Sequence, residues 1–528
     1  MKNHYIILVL LLLTQEAGAQ DFDVLFQHCY GGSDWEAPRT IFPKGDGYII
    51  FGSTYSHDGD ISFNPSSDHE KGSYWLLETD ASGQIAWERT YGGSNSDEPA
   101  NMLQTPDGGY LLFGNSYSSD GDVGGNQGGY DFWLIKTDSI GNPQWEQNLG
   151  GSMNDMAYQI APTPDGGYIC TGMAGSSDGD VSFNHGQYDV WVVKLSAEGV
   201  LEWERCYGGS SIDQGNTIMP TTDEGYIVAG TTGSHNGDVQ CSGTYISNAW
   251  VLKLDVQGEI EWQQCYGGSH GESAADIIQT AEGGYIFFGA ASSNDGDVSG
   301  FHGTHGDYST ADMWAVKLDA NGQLEWQRCL GGSGYDVSCL VRQLEDGGFL
   351  VGGMGSSSDA DAACNPYPGA FEVILHKLSA TGELLWTKCL GSQGDNTLWD
   401  VFIYTPTHFL LGATARTVDT DVDCTLHGQT DFWIVDIMDT TVSLKEEKKQ
   451  EIVIYPNPAN TQSWLQLPEN TALAQAQIEL YSYSGRLLHK AKPSSHFHKI
   501  DVANLPKGLY LVRVWDGKNT QTFKLAVN

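Results

Sequence analysis

The chain has 528 residues, a formal net charge of −41 from 26 Lys+Arg against 67 Asp+Glu, and an abundance of Gly (66), Trp (16) and Tyr (25). Glycine-punctuated aromatic runs exclude a coiled coil or long-helix protein and point to all-β structure. The charge excludes a nucleic-acid or anionic-membrane binder and favours cations or basic partners.

The charge is unevenly spread. Residues 443–528 hold 11 basic and 7 acidic side chains, a net of +4, which leaves −45 for the residues before them. The chain opens on MKNHYIILVLLLLTQEAGAQ, with a basic start, an apolar run from Tyr5 to Leu13 and small residues at Ala17 and Ala19. This pattern predicts a signal peptide over 1–19. The run is too short to span a bilayer, and no other segment approaches ~18 apolar residues. The expectation is an exported protein whose ten Cys meet an oxidising compartment.

Residues 20–440 read as one repeated unit. Glycine pairs begin at Gly31, Gly92, Gly150, Gly208, Gly267 and Gly331, with a shortened copy at Gly391. A turn glycine before each Trp strand, at Gly83, Gly141, Gly199, Gly258, Gly322 and Gly382, keeps the same spacing. A fixed period of this length signals a stacked array of one supersecondary unit. Each unit reads as four strands. In the third, DMAYQIAPTP (strand a) turns through DGG into YICTGMAG (b), a longer loop leads to YDVWVVKLS (c), and AEG turns into VLEWERCY (d). Strand c is apolar on both faces, as a strand sandwiched between neighbouring sheets must be. Seven such sheets predict a seven-bladed β-propeller of four-stranded blades. The seventh unit stops after DFWIVDIM, while the first begins with a spare strand, FDVLFQHCYGGS, carrying Phe26 at the Trp position. The N-terminal strand is therefore expected to complete the seventh blade and close the ring. The run of DxW-VKL, YGGS or LGGS, and DGGY resembles the β-propeller repeats of secreted bacterial proteins, which implies a fold and no activity.

Two acidic series accompany the repeat. In the b–c loops stand Asp58 and Asp60, Asp120 and Asp122, Asp178 and Asp180, Asn236 and Asp238, Asp295 and Asp297, Asp359 and Asp361, and Asp421 and Asp423. In the d–a loops stand Glu36, Asp97, Asp155, Asp213, Glu272, Asp336 and Asp395. Strands b and d run toward the same end, so both series are expected on one face. The b–c aspartates are candidate calcium ligands; the competing role is to accept hydrogen bonds from their own loops. Lys136, Lys194, Lys253, Lys317 and Lys377 at the ends of strands c read as cross-strand ion-pair partners. His57, His185, His235, His302 and His305 fall in b–c loops without metal-ligand spacing or a shared repeat position. Three Cys in b–c loops each have a strand-d Cys in the same blade, which predicts the disulfides 241–265, 364–389 and 424–29.

A charged linker over 441–451 separates the propeller from residues 452–528. Alternating apolar residues (Ile452 and Ile454, Ile478 and Leu480, Tyr510, Val512 and Val514) predict a small Ig-like antiparallel sandwich of about seven short strands. The opening Tyr455-Pro456-Asn457-Pro458, then Tyr481 and Gly485, Leu505, Gly508, Leu509 and Tyr510, and the closing Lys524-Leu525 and Val527-Asn528 are similar to the C-terminal sorting domain of the type IX secretion system. That resemblance implies export across the outer membrane of a Bacteroidetes-type cell and a partnership with the secretion machinery. No catalytic triad or phosphate loop stands out. The expected role is a secreted or surface binding module for glycans, peptides or a surface protein. The alternative is a propeller hydrolase or lyase, which an unrepeated pocket would favour.

Overall fold

The computed structural model describes residues 22–439 except 242–245, 305–308 and 420, together with 453–455, 459, 461–467, 473, 476–482, 486–493, 495–503, 505–515 and 520–527. The expected signal peptide and linker, His305, Ile452, Pro456, Asn457, Pro458, Gly485 and Asn528 lie outside the described residues. The chain divides into two compact units, Met1–Thr440 and Thr441–Asn528.

The first unit is a ring of seven four-stranded antiparallel sheets. Six are built from consecutive strands, as in Asp155–Pro162, Tyr168–Ala174, Asp189–Leu195 and Leu201–Tyr207. The seventh joins the two ends of the chain: Phe22–Tyr30 pairs with Asp431–Asp439, outside His408–Ala415 and Thr397–Thr405. Phe26 faces Asp436 in register, as Trp203 faces Lys194 in the third blade. The spare N-terminal strand is thus strand d of blade seven.

The repeat residues hold blade to blade. Strand c is buried along its whole length in blades two to five. Its Trp (Trp75, Trp133, Trp191, Trp250, Trp314, Trp433) packs between sheets, and the indole N–H donates to a Glu or Gln of strand d, as Trp191 does to Glu204 at 2.9 Å. The turn glycine between c and d has φ between +75° and +81°, a region that costs side-chain-bearing residues. It also lies against the Trp of the preceding blade, Gly199 on Trp145 and Gly258 on Trp203, while Gly83 lies on Phe26. In blades ending in Tyr rather than Leu, the hydroxyl donates to the carbonyl of that same glycine, Tyr30 to Gly83 at 2.8 Å and Tyr91 to Gly141 at 2.6 Å. The Lys at the end of strand c is buried and paired as expected: Lys194 meets Asp165 at 2.9 Å and Glu202 at 3.0 Å.

The three expected disulfides are present, Cys29–Cys424, Cys241–Cys265 and Cys364–Cys389, each with Cα atoms 5.5–5.6 Å apart. The first spans 395 residues and fastens the N-terminal strand to the ring. A closure that long removes roughly 6 kcal/mol of unfolded-chain entropy in the loop-closure picture.

The second unit packs a three-stranded sheet (Val453–Tyr455, Gln462–Gln466, Phe497–Asp501) with a four-stranded one (Gln477–Ser482, Leu487–Ala491, Gly508–Trp515, Thr520–Val527). Its core takes Leu465, Ile478, Leu480, Val512, Val514, Leu525 and Val527. The alternating inward residues run to the end of the last strand, so the terminal Leu-x-Val is structural as well as a motif.

Candidate functional site

The loop face explains the acidic refrain. Where strand d ends in GGS, successive backbone N–H groups leave the sheet and need partners. In the third blade the N–H of Gly150 donates to Asp180 at 3.2 Å, that of Gly151 to Asp155 at 2.8 Å, that of Ser152 to Asp178 at 2.8 Å, and that of Met153 to the Ser176 hydroxyl at 2.9 Å. The first loop acid takes the N–H two residues after the first glycine in every blade, a serine in six and Gln393 in the seventh, with Asn236 substituting for the acid in the fourth. The second (Asp60, Asp122, Asp180, Asp238, Asp297, Asp421) takes the first glycine N–H. Asp361 meets the same loop through its backbone, its N–H donating to the Gly331 carbonyl. These aspartates therefore tie b–c loops to d–a loops. Among the described residues no group of three or more His, Cys, Asp or Glu is gathered as a metal ion requires.

Three expectations need correction here. The d–a acids share the loop end but are not surface groups: Glu36, Asp97, Asp155, Asp213 and Asp336 are fully buried and Glu272 nearly so. In blade seven the repeat is not shortened. Ser392 replaces the second glycine, so Asn396, not Asp395, takes the d–a position, and the b–c pair is Asp419 and Asp421, with Asp423 two residues beyond it. Two of the five histidines do share a position, together with His427, which nothing in the sequence reading singles out. The Nδ1 atoms of His185, His302 and His427 meet Asp189, Asp312 and Asp431 at 2.5, 2.7 and 2.8 Å, while His57 meets the Ser66 carbonyl. Insertions in the b–c loops shift these histidines in sequence but not in space.

Those aspartates form a third acidic series, at the start of strand c. Asp131, Asp189, Asp312, Asp431 and Glu372 are buried, and each has one carboxylate oxygen without a hydrogen-bond partner. Four of them lie across a glycine from the acid or amide that begins the next blade's strand a: Asp131 and Asp155 flank Gly150, Asp189 and Asp213 flank Gly208, Glu372 and Asn396 flank Gly391, and Asp431 and Glu36 flank Gly31. Burial, reinforced by the facing Asp155 and Asp180, raises Asp131 to about 7. Burial likewise raises Asp312 to about 7, with Asp336 adding to it against the lowering effect of His302. Folded pKa values above the unfolded value mean that this stabilisation is complete below about pH 4 and is lost as pH rises through about 7. The melting temperature should therefore be lower at pH 8.5 than at pH 5.5. Asp131→Asn, which keeps the shape and removes one charge, should raise it at pH 8.5 by about 1–3 kcal/mol of stability and flatten the pH profile. Calorimetry at the two pH values checks this; a melting temperature independent of pH in both proteins would contradict it.

A second candidate site lies in the central channel, and nothing in the sequence reading singled it out. Strand a bulges in every blade, and one residue drops out of register with strand b. Those residues are Arg39, Ala100, Tyr158, Asn216, Ala275, Cys339 and Trp399, and all seven line a cavity of about 510 Å³. A bulge frees a backbone N–H, and neighbouring blades supply acceptors: Ile41 N–H donates to Asp400 at 3.0 Å, Met102 to Thr40 at 3.1 Å, and Val341 to Asp276 at 3.0 Å. Arg342 sits between Asp276 at 2.7 Å and Asp400 at 3.5 Å. The Arg39 guanidinium stacks on Trp399, 3.7 Å from the ring centroid. The sequence signal that could have found this site is the residue three positions after each d–a acid or amide, which is Arg, Ala, Tyr, Asn, Ala, Cys and Trp in turn while the position two further on stays Ile, Met or Val.

Comparison with known proteins adds the address. A family model described as the secretion system C-terminal sorting domain matches residues 453–528. Regulatory protein FlaEY of Caulobacter vibrioides is 24% identical over 238 residues, 43% of this chain and 24% of that protein, so the chain spans about a quarter of the curated relative it matches. Similar solved structures include PorZ, a surface component of the type IX secretion system of Porphyromonas gingivalis, at 10% identity and TM-score 0.39 over 94% of this chain and 60% of that one. The WD40 domain of Neurospora crassa Pan2 is similar at 11% identity and TM-score 0.44 over 80% of this chain and 97% of that one. A Bacteroides caccae protein of unknown function is similar at 11% identity and TM-score 0.33, over 60% and 89%. No helix among the described residues is long and apolar enough to cross a membrane. Residues 453–528 are a type IX secretion-system sorting domain, and they direct a seven-bladed β-propeller to the cell surface or the medium.

Proposed function

We propose that the exported propeller is a binding module that takes its ligand in the central channel. The observation that carries this reading is the bulge column, where seven units present Arg, Ala, Tyr, Asn, Ala, Cys and Trp. Ring closure and blade packing require the repeated positions; they place no such demand on residues facing the channel. A cavity of about 510 Å³ also falls within the size of ordinary small-molecule sites, ~300–1,000 Å³.

An unrepeated pocket is equally what a hydrolase or lyase would show, and the chemistry of its groups favours binding. Burial pushes the Cys339 thiol up to about 12, so it is not a thiolate at neutral pH. Asp276 and Asp400 are occupied by Arg342 and by backbone N–H groups. Among the described channel residues, no nucleophile is thus paired with an available base. Glycan and peptide arrays probed with the mature protein should identify a ligand. Tyr158→Ala and Trp399→Ala should each weaken its binding about tenfold or more, while Asp178→Asn on the loop face should leave it unchanged. Binding that survives both channel variants and is lost with the loop variant would move the site to the loop face.

A further inference from the structure

The channel's polar groups are not equally engaged. On the side of blades four to six they are committed to neighbouring blades: Asn216 donates to the Ala274 carbonyl at 2.7 Å, and Asp276 accepts from Val341 and Arg342. On the arc from blade seven through blades one, two and three, Asp400, Glu98 and Asn115 are likewise engaged, but several other groups are not. The Trp399 indole N–H is buried with no hydrogen-bond partner among the described residues. Asn101, Tyr158 and Gln159 line the cavity and make no side-chain hydrogen bond among the described residues. Arg39 spends only its Nε, on the Pro99 carbonyl at 3.2 Å, and among the described residues it has no carboxylate within ion-pair distance. The lining carboxylate nearest to it in sequence, Glu98, accepts instead from the Tyr55 hydroxyl at 2.7 Å. In a chain of net charge −41, a guanidinium that lines a cavity outside any ion pair among the described residues, with Glu98 acting on it only from beyond that distance, is a conspicuous departure.

We infer that this arc recognises a small carboxylate, held through the free Nη atoms of Arg39, with its apolar or planar body between Tyr158 and Trp399. The inference rests on the channel being the ligand site. A planar guanidinium offers two parallel N–H donors that match a carboxylate, and stacking on Trp399 fixes the plane of the fork. An unpaired charge away from bulk water costs free energy that a ligand anion recovers on binding. A monoanion fits better than a phosphate dianion. The lining holds two guanidiniums, Arg39 and Arg342, against three carboxylates, Glu98, Asp276 and Asp400. Arg342 is taken by Asp276 and Asp400, so Arg39 is the cation left outside an ion pair, and the negative charge remaining on the wall disfavours a dianion. Asn101 and Gln159 supply amides for the remaining oxygens of the ligand.

The test uses matched probes on the full mature protein, so no variant is needed for the first reading. Phenylacetate against phenylacetamide, and glucuronate against glucuronamide, are compared by saturation-transfer NMR and calorimetry. At least one carboxylate should bind about tenfold more tightly than its amide, and which pair does so separates an aromatic acid from a sugar acid. Arg39→Gln should abolish that preference and Arg39→Lys should retain part of it, with the melting temperature confirming that each variant is folded. Equal affinity for acid and amide, lost in Tyr158→Ala, would overturn the carboxylate inference while leaving the channel as a binding site. Absence of channel binding by all four probes would overturn the carboxylate inference; a ligand found on the arrays but insensitive to Tyr158→Ala and Trp399→Ala would overturn the channel reading itself.

Discussion

Deletion of Phe22–Tyr30 is expected to unfold the propeller or lower its melting temperature by more than 10 °C, equivalent to more than about 5 kcal/mol of stability. Three losses coincide. Strand Asp431–Asp439 loses its outer partner and becomes an exposed edge carrying Trp433. Phe22 leaves its contacts with Trp386 and Phe409, at centroid distances of 5.1 and 6.5 Å, and Phe26 leaves the Gly83 turn of the first blade. Cys424 loses Cys29. Replacing only the two cysteines by serine isolates the last effect and should cost about 2–5 kcal/mol. Circular dichroism melts of the three proteins check the order. A deletion variant that melts like the full chain would contradict closure by the N-terminal strand.

Deletion of residues 453–528 is expected to abolish delivery to the surface or medium while leaving the propeller folded in the periplasm. The propeller's cores and its three disulfides lie wholly within Met1–Thr440, so the truncation removes no strand or bridge from it. Immunoblots of periplasm, outer membrane and medium from the native host measure the distribution, and non-reducing electrophoresis of the retained protein checks that it folded. Normal appearance of the truncated chain outside the cell would show that the sorting domain is dispensable for this protein.

Fold and export route were legible in the residues because both rest on local, repeated physics. Strand periodicity, turn glycines and a fixed repeat length specify blades and their number. The unmatched Phe26 strand at one end and the missing Trp strand at the other specify how the ring closes. The disulfides followed from the same register, since a b–c loop and strand d of one blade are always neighbours. Of the sorting domain's motif residues, Tyr481, Gly508, Leu509, Tyr510, Lys524, Leu525 and Val527 likewise fall on its strands.

Burial, side-chain direction and the meeting of distant blades were decided only by the tertiary structure. A linear count placed Asp155 and its equivalents on an acidic surface. In the ring these carboxylates turn inward, because the GGS amides they accept from lie at the top of the interblade core. Counting from the serine after Gly391 gave Asp395, and matching the loop motif gave Asp421 and Asp423, whereas the hydrogen bonds select Asn396, Asp419 and Asp421: position in a blade is set by which backbone group is met, not by residue spacing. The shared role of His185, His302 and His427 was hidden for the same reason, since a loop insertion changes sequence distance without changing which carboxylate lies across the loop. The channel needed the bulge most of all. An extra residue in strand a re-aims one side chain per blade toward the axis, and only closure of seven blades brings Arg39, Tyr158 and Trp399, 360 positions apart from first to last, to the wall of one cavity.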